Sequence, residues 1–550
     1  MIRLNPIFSI ILLLLYGTSA LAQISSDVNT GQSAINEVYL AILNKYVAEI
    51  DPDKLSEAAI NGMLQQLDPY SEYIRQGQFS RVDDITKGRY GGVGIHLGRL
   101  NDSAVVIAPM DGTPAFHQGI LSGDRIIRVD SIFTRDMRLD EIADLLRGES
   151  GTPVTLLIKR PGEFTPLSFE LTRELIRVPD ISYSGLLRSK TGYVRLSNFT
   201  RYSGEELEKT VRKLLKANAQ SLILDLRGNP GGLLHAALMS ADLFIEKDKL
   251  LLETRGRADN SNNQYFSHRN PITRPGLPIA ILVDGGSASA AEILSGILQD
   301  YDRAIIIGEP TFGKGLVQTI SNLNSEDRLK LTTARYYLPS GRLIQKRDIA
   351  SDLVYEENQH PELNDDFYSQ NRRNFKSGRG VHPDLEINPL PLTDIERELW
   401  RKRLFFKFGL EYKSRHPDME LPVKFSESIV DSFYVWMHAE NLFPRTALYR
   451  WIVRGAGVVD STNSNYKSLE VMREQLLELE ETSQREALRA VRLQVLSGLE
   501  TEMSNILGGN GARVAASLTY DPVVQQTIDL LLSGSDVADI LAGSHITQDN

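Results

Sequence analysis

The 550-residue sequence contains no cysteine. Disulfides are therefore excluded, and each domain must be held by its own apolar core, which this length permits. Histidine is scarce as well. The nine are scattered, with no H-E-x-x-H and no closely spaced pair, which argues against a zinc hydrolase. No G-x-S-x-G elbow occurs, so a serine–histidine–aspartate site of that type has no support. Positive charge is not in excess. A net charge of -10 and a pI of about 5.6 suit neither nucleic acid nor an anionic membrane surface. Repeats and long low-complexity segments are lacking. The remaining composition is that of a soluble globular protein of several domains, 41% hydrophobic and 24% charged with mean hydropathy -0.22.

A concentrated apolar run stands at the start. Arg3 precedes Ile7–Tyr16, and small residues follow, ending in Ala20-Leu-Ala22. That order of basic, apolar and A-x-A segments predicts a signal peptide over 1–22, with export and cleavage before Gln23. The alternative is an uncleaved anchor at the inner membrane, but the run falls short of the roughly 20 residues a spanning helix needs. With no cysteine near the cleavage site, a lipoprotein is excluded. Loss of Arg3 takes the net charge from -10 to -11.

Residues 23–87 read as an N-terminal helical region. Ile35, Val38, Tyr39, Ile42 and Tyr46 keep a 3.6-residue period, Asp51-Pro52 opens a second helix with Leu55, Ala59 and Met63, and Asp68-Pro-Tyr-Ser71 closes it as a turn. From Tyr90 to about Arg173 short strands alternate with turns: Gly91–Ile95, Ala104–Ile107, Arg125–Val129, then a helix bearing Ile142, Leu145 and Leu146, and Val154–Ile158 as a closing strand. From Ile181 to Gln345, strands apolar on both faces (Tyr193–Leu196, Leu222–Leu224, Ile279–Val283, Ala304–Ile307) alternate with amphipathic helices. This predicts an α/β domain with a covered sheet. Ser351–Arg379 is polar and reads as a long loop. After Pro391 the chain turns helical, with a capping box at Thr393-Asp-Ile-Glu396. Leu469, Met472, Leu476 and Leu479, then Leu488, Val491 and Val495, read as ordinary helix packing; from about Ser533 the chain reads as a disordered tail.

The chemistry concentrates in Asp284–Glu292 and Gly308–Gly315. Gly308-x-x-x-x-Gly313-Lys314 imitates a phosphate-binding loop, yet Gly315 stands where Ser or Thr would hold magnesium, and Leu316–Ile320 continues as a strand rather than a helix. What remains is serine with lysine. Ser289 opens the helix Ala290–Leu298 at the C-terminal end of a strand, where open α/β sheets gather their chemistry. Lys314 follows the next strand and returns to the same edge. Such a lysine activates a serine only when neutral, a drop of roughly three units from about 10.4, which burial among Phe312, glycines and strand ends would supply. Gln318 offers a neutral amide to orient the amine. Leu224–Gly232 ends a strand in a glycine-rich turn able to present backbone N–H groups.

Taken together, Leu224–Gly232, Gly285–Glu292, Gly308–Gln318 and Thr333–Arg342 resemble the C-terminal processing, or tail-specific, peptidases. The similarity spans roughly Ile35 to Ile387, including Asp68–Ser71 and His382–Asp384. The resemblance implies a multidomain α/β fold: a crotonase/Clp-protease-like α/β peptidase core over 176–390, a PDZ-like domain over 88–175, the N-terminal helical segment and a helical C-terminal region over 391–550. By position it puts the nucleophile on Ser289, the base on Lys314 and the accessory amide on Gln318. The oxyanion donors become the N–H groups of Gly232 and Ala290. Ser287 competes as nucleophile, and Ala291 replaces a serine common in relatives.

In the PDZ-like domain, Gly91, Gly92, Val93, Gly94 and Ile95 would bind a terminal carboxylate, and a substrate tail would lie beside Val93–Leu97 against Ile142 and Leu146. Arg147 reads either as an interdomain contact or as a solvated surface residue. The implied function is an exported, most simply periplasmic, serine endopeptidase that recognises proteins by apolar C-terminal tails and needs no metal or nucleotide cofactor. The rival is an inactive PDZ-bearing scaffold that binds tails without cutting. Whether the helices after Pro391 form a homodimer, gate the site or dock an envelope adaptor stays open on sequence alone.

Overall fold

The computed structural model describes residues 28–75, 88–100, 102–323, 327–346, 366–388, 391–440, 442–443, 466–534, 537–538 and 541. The signal-peptide reading of 1–22 lies outside them. The described residues form two compact units, one of 28–75, 318–323 and 327–332, the other of the remainder.

In the first unit, helices span 28–45 and Pro52–Leu64, as the periodicity predicts. Asp51 caps the second through its carboxylate, 2.9 Å from the Asp53 N–H. The Asp68 carboxylate fixes the following turn by accepting from the Tyr70 and Ser71 N–H groups. Strand β1 (Glu72–Ile74) then pairs antiparallel with Arg328–Lys330.

The second unit opens with β2 (Arg89–Gly92), β3 (Ile95–Leu100), β4 (Ser103–Pro109), β5 (Arg125–Val129), β6 (Ile132–Phe133), the helix Leu139–Leu146, β7 (Pro153–Lys159), β8 (Leu167–Thr172) and β9 (Glu174–Arg177). The order β3-β4-β5-β7-β8 wraps a core that includes Val106, Ile142 and Leu156. Val154–Ile158 does not close this domain. β8 pairs with it next, and β9 returns to β2. The alternation of Leu167, Phe169 and Leu171 encodes β8 at period two.

The α/β core contains β10 (Ile181–Leu186), β11 (Thr191–Leu196), β12 (Ser221–Asp225), β13 (Leu250–Arg255), β14 (Asn263–Phe266), β15 (Ile279–Val283), β16 (Ile305–Gly308), β17 (Leu316–Asn322), β18 (Arg328–Tyr337), β19 (Asp366–Tyr368), β20 (Asn374–Lys376) and β21 (Leu385–Glu386). Its central sheet runs β10-β11-β12-β15-β16-β21, parallel except at the β10–β11 edge. Strands buried on both faces need two covers. Leu222, Leu224, Ile279, Ile281 and Ile306 face the helices Ser203–Lys216, Leu234–Ala241 and Ala290–Asp300. Ile223, Ala280, Leu282, Ile305 and Ile307 face the other way, onto Val514, Leu518, Val523, Val524, Ile528 and Leu531.

The second cover is therefore the end of the C-terminal region, the helices Arg492–Leu518 and Pro522–Ser533. Val537 and Leu541 join the same cluster, so the part of the supposed disordered tail that is described packs on the sheet. Two further readings change. The polar stretch 351–379 contains the β19–β20 hairpin. Leu488, Val491 and Val495 are buried as ordinary packing requires, but Met472 and Leu479 are exposed on their helix, Tyr466–Ala490.

Because Ile528 is fully buried on the sheet, Ile528→Ala should cost about 2–5 kcal/mol in chemical denaturation, as a central core residue would. A loss below about 0.5 kcal/mol, typical of surface positions, would show that this helix is peripheral.

Candidate active site

The site grows from the C-terminal ends of β12, β15 and β16. After β15 the chain turns through Asp284–Ala288 into the helix Ala290–Asp300, and Ser289 stands at its N-cap with φ 53° and ψ -112°. A side chain at positive φ is strained by roughly 1–3 kcal/mol and persists only where surrounding bonds hold it. Those bonds are visible. The Ser289 N–H donates to the Glu292 carboxylate at 2.8 Å, and the Ala288 N–H to the Asn229 carbonyl at 3.0 Å.

Glu292 is fully buried in the first turn of that helix. One oxygen accepts from the N–H groups of Ser289 and Lys314 at 2.8 and 2.9 Å. The other accepts from the Thr311 hydroxyl at 2.5 Å and the Gly313 N–H at 2.7 Å. From the opposite side, the Tyr336 hydroxyl donates to the Lys314 carbonyl at 2.5 Å and lies 3.3 Å from the Ser289 carbonyl. Ser289 and Lys314, 25 residues apart in sequence, are thus fastened to each other through their backbones. Burial pushes the Glu292 carboxyl up to about 7 despite the four donors, and burial with the nearby carboxylate raises the Tyr336 phenol. The phosphate-loop resemblance also resolves: the Gly313 and Lys314 N–H groups that would cradle a phosphate already hold Glu292.

The glycine turn after β12 meets the serine directly. A Cβ on Gly231 would stand 2.9 Å from both the Ser289 Cβ and the Ala290 nitrogen, and one on Gly232 only 2.1 Å from the Phe199 carbonyl oxygen. Only glycine fits there. Phe199 bridges the turn, its N–H donating to Gly231 and its carbonyl accepting from Leu233. Among the described residues, the N–H groups of Gly232 and Ala290 make no hydrogen bond. Ser287 is fully buried, with its hydroxyl 2.8 Å from the Leu226 carbonyl, a structural placement.

Behind the turn, Asp225 is buried at the end of β12 and accepts from Tyr193, Arg195 and Arg227. Burial alone would raise its carboxyl, but the guanidinium charges and these hydrogen bonds outweigh it and hold the group below the usual range.

Against known proteins, residues 190–355 match Peptidase family S41, 105–160 a PDZ domain, and 18–77 the Activating protease CtpB N-terminal domain. A carboxy-terminal-processing protease of Bartonella bacilliformis is 40% identical over 325 residues, 58% of this chain and 74% of that one. The chain belongs to this S41 family of carboxy-terminal-processing serine proteases. A probable CtpA-like serine protease of Staphylococcus aureus is 34% identical over 360 residues, 65% of this chain and 71% of its own. Among solved structures, the photosystem II D1 C-terminal processing protease is 26% identical with TM-score 0.35, covering 65% of this chain and 93% of its own.

The remaining expected residues of the S41 protease fall as follows. Gln318 lies on β17, in the first unit, with its amide 3.3 Å from the Thr332 hydroxyl. Lys314 is half-buried, whereas Phe312, expected to shield it, is exposed. In the PDZ domain a groove of about 260 Å³ is lined by Val93, Gly94, Ile95 and Leu146, with His96 and Arg147. Gly91 and Gly92 are paired with β9 instead, and Ile142 is fully buried in the domain core. The Arg147 guanidinium sits 5.4 Å over the Tyr90 ring. Sequence reasoning missed Glu292, although Ser289-Ala-Ala-Glu292 carries the S-x-x-E signature of a capping box. It assigned no role to Tyr336 or Asp225.

Glu292→Gln should lower kcat/KM on a peptide reporter about 100-fold, because an amide has one acceptor oxygen, its NH2 would face other donors, and the two loops shift. The same variant tests its proton. The folded chain holds it up to about pH 7, whereas an unfolded glutamate releases it near 4.5. Stability from this group is thus full below about 4.5 and declines by about 3 kcal/mol as pH rises to about 7. Denaturation across this range should show that slope in wild type and not in Glu292→Gln. An identical slope in both would place its origin elsewhere.

Proposed function

We propose that this chain is an exported endopeptidase using a serine–lysine pair to cut proteins held by their C-terminal tails. The observation that carries the reading is the Glu292 clamp, which holds the backbones of Ser289 and Lys314 together beside the turn ending in Gly232. The neutral Lys314 amine takes the proton from the Ser289 hydroxyl as its oxygen attacks the scissile carbonyl. The resulting oxyanion is met by the Gly232 and Ala290 N–H groups, and the start of the helix Ala290–Asp300 adds its positive dipole end. Lys314 then gives the proton to the leaving amine, and water attacks the acyl-enzyme with the lysine again as base. The family resemblance gives Gln318 the accessory role. Every step uses groups of the chain itself, with no metal or nucleotide.

Upstream, the PDZ groove takes an apolar tail. Its lining by Val93, Ile95 and Leu146 is aliphatic, which suits an apolar tail. The A-x-A segment accounts for export, and the periplasm as its endpoint is part of the proposal.

Incubation of an unstructured reporter protein with wild type, Ser289→Ala and Lys314→Ala should show fragmentation reduced about 10³-fold or more in both variants. Equal fragmentation in all three would remove the serine–lysine assignment. Chelators should leave the wild-type rate intact, and a strong loss with EDTA would require a metal. Amidation or a terminal charged residue on the reporter should slow cleavage; an unchanged rate would remove the tail-reading role of the groove.

A further inference from the structure

The sheet's second cover reaches the reaction centre as well as the core. Arg227 begins the turn that ends at Gly232. Its guanidinium binds Asp225 at 2.9 and 2.6 Å, and its N–H donates to the same carboxylate at 3.0 Å. One donor also reaches Asp521, which arrives from nearly 300 residues further along the chain, with N···O 2.8 Å. Asp521 is the N-cap of the helix Pro522–Ser533 and divides its two oxygens between two tasks. Oδ1 accepts from the Val523 and Val524 N–H groups at 3.0 and 3.1 Å, and Oδ2 faces Arg227.

The charge pattern calls for this second partner. Arg195 and Arg227 both converge on the single carboxylate of Asp225, so this ion-paired trio by itself carries one net positive charge. Asp521 neutralises it. Arg227 is mostly buried, so a guanidinium released from Asp521 would be drawn toward other carboxylates lining the same cleft of about 280 Å³, Asp284 and Glu309. Asp284 already holds the turn by accepting from the Gly228 N–H at 2.8 Å. Competition for it would disturb the backbone that presents Gly232.

We propose that Asp521 is a positioning residue for the peptidase reaction: through Arg227 it fixes the Gly228–Gly232 turn, making the C-terminal helices part of the catalytic frame. This rests on the reading of Gly232 as an oxyanion donor.

Asp521→Asn and Asp521→Ser both keep a side-chain oxygen to cap the helix, yet neither offers an anionic oxygen to Arg227. In each, kcat on the reporter should fall about tenfold with KM within about twofold. The rate of Ser289 labelling by a fluorophosphonate should fall in parallel. Rates are expressed per labelled site, so a partly unfolded variant still reports. Arg227→Lys should give a similar loss, and the double variant Arg227→Lys/Asp521→Asn should lose no more than Arg227→Lys alone. Unchanged kcat per labelled site in both Asp521 variants, or a change confined to KM or thermal stability, overturns the proposal. Ser289→Ala run alongside separates the two layers. Activity surviving in Ser289→Ala removes the serine reading itself, whereas an inactive Ser289→Ala with fully active Asp521 variants removes only the role of Asp521.

Discussion

Burying a carboxylate is costly unless donors replace the water it loses, and Glu292 has four of them. Three are backbone N–H groups, belonging to Ser289, Gly313 and Lys314. If either loop moves away, the acid loses donors it cannot replace, and those amides lose their acceptor. The shared hydrogen bonds to one buried acid therefore keep two loops of different strands at one place. The positive φ of Ser289 follows from this constraint, since its N–H is aimed at Glu292 before the helix begins. Tyr336 completes the grip from the carbonyl side, so the peptide groups before and after residues 289 and 314 are both held.

The glycine turn obeys the same rule. Asp225 accepts the Arg227 N–H, and Asp284 accepts those of Gly228 and Gly286. Loops leaving the end of a parallel sheet have backbone donors that no neighbouring strand can satisfy. Here acidic side chains take them, and each choice ties one loop to itself or to its neighbour. Asn229 does the equivalent with an amide, donating to the Leu196 carbonyl and accepting from the Gly231 N–H.

How much of this could be read beforehand depended on distance along the chain. The core strands were legible because a run such as Ile279–Val283 is apolar at every position, and the loop motifs were legible because glycine, serine and lysine stand at fixed offsets. The cap signature of Ser289-Ala-Ala-Glu292 is equally local. The second cover of the sheet was not local. Apolar residues on both faces of β12 and β15 demand two layers, yet nothing in their period says that one comes from Val514–Leu541. The hairpin β19–β20 has three residues per strand, too few for any periodicity to declare itself. The bond from Gln318 to Thr332 depends on the register of β17 against β18, which neither strand encodes alone.

The clamps at this site act almost entirely on backbone atoms, and that separates framework from chemistry. Glu292 and Tyr336 hold the peptides of residues 289 and 314 whatever side chains those residues carry, and Phe199 holds Gly231 and Leu233 through main-chain bonds. The glycines are the exception. At Gly231 and Gly232 the side chain must be absent for the turn to approach Ser289 and Phe199. The frame therefore constrains residue identity most tightly where space is lacking. At position 289 the side chain also counts, because Ser289 and Glu292 form a capping box at the start of the helix.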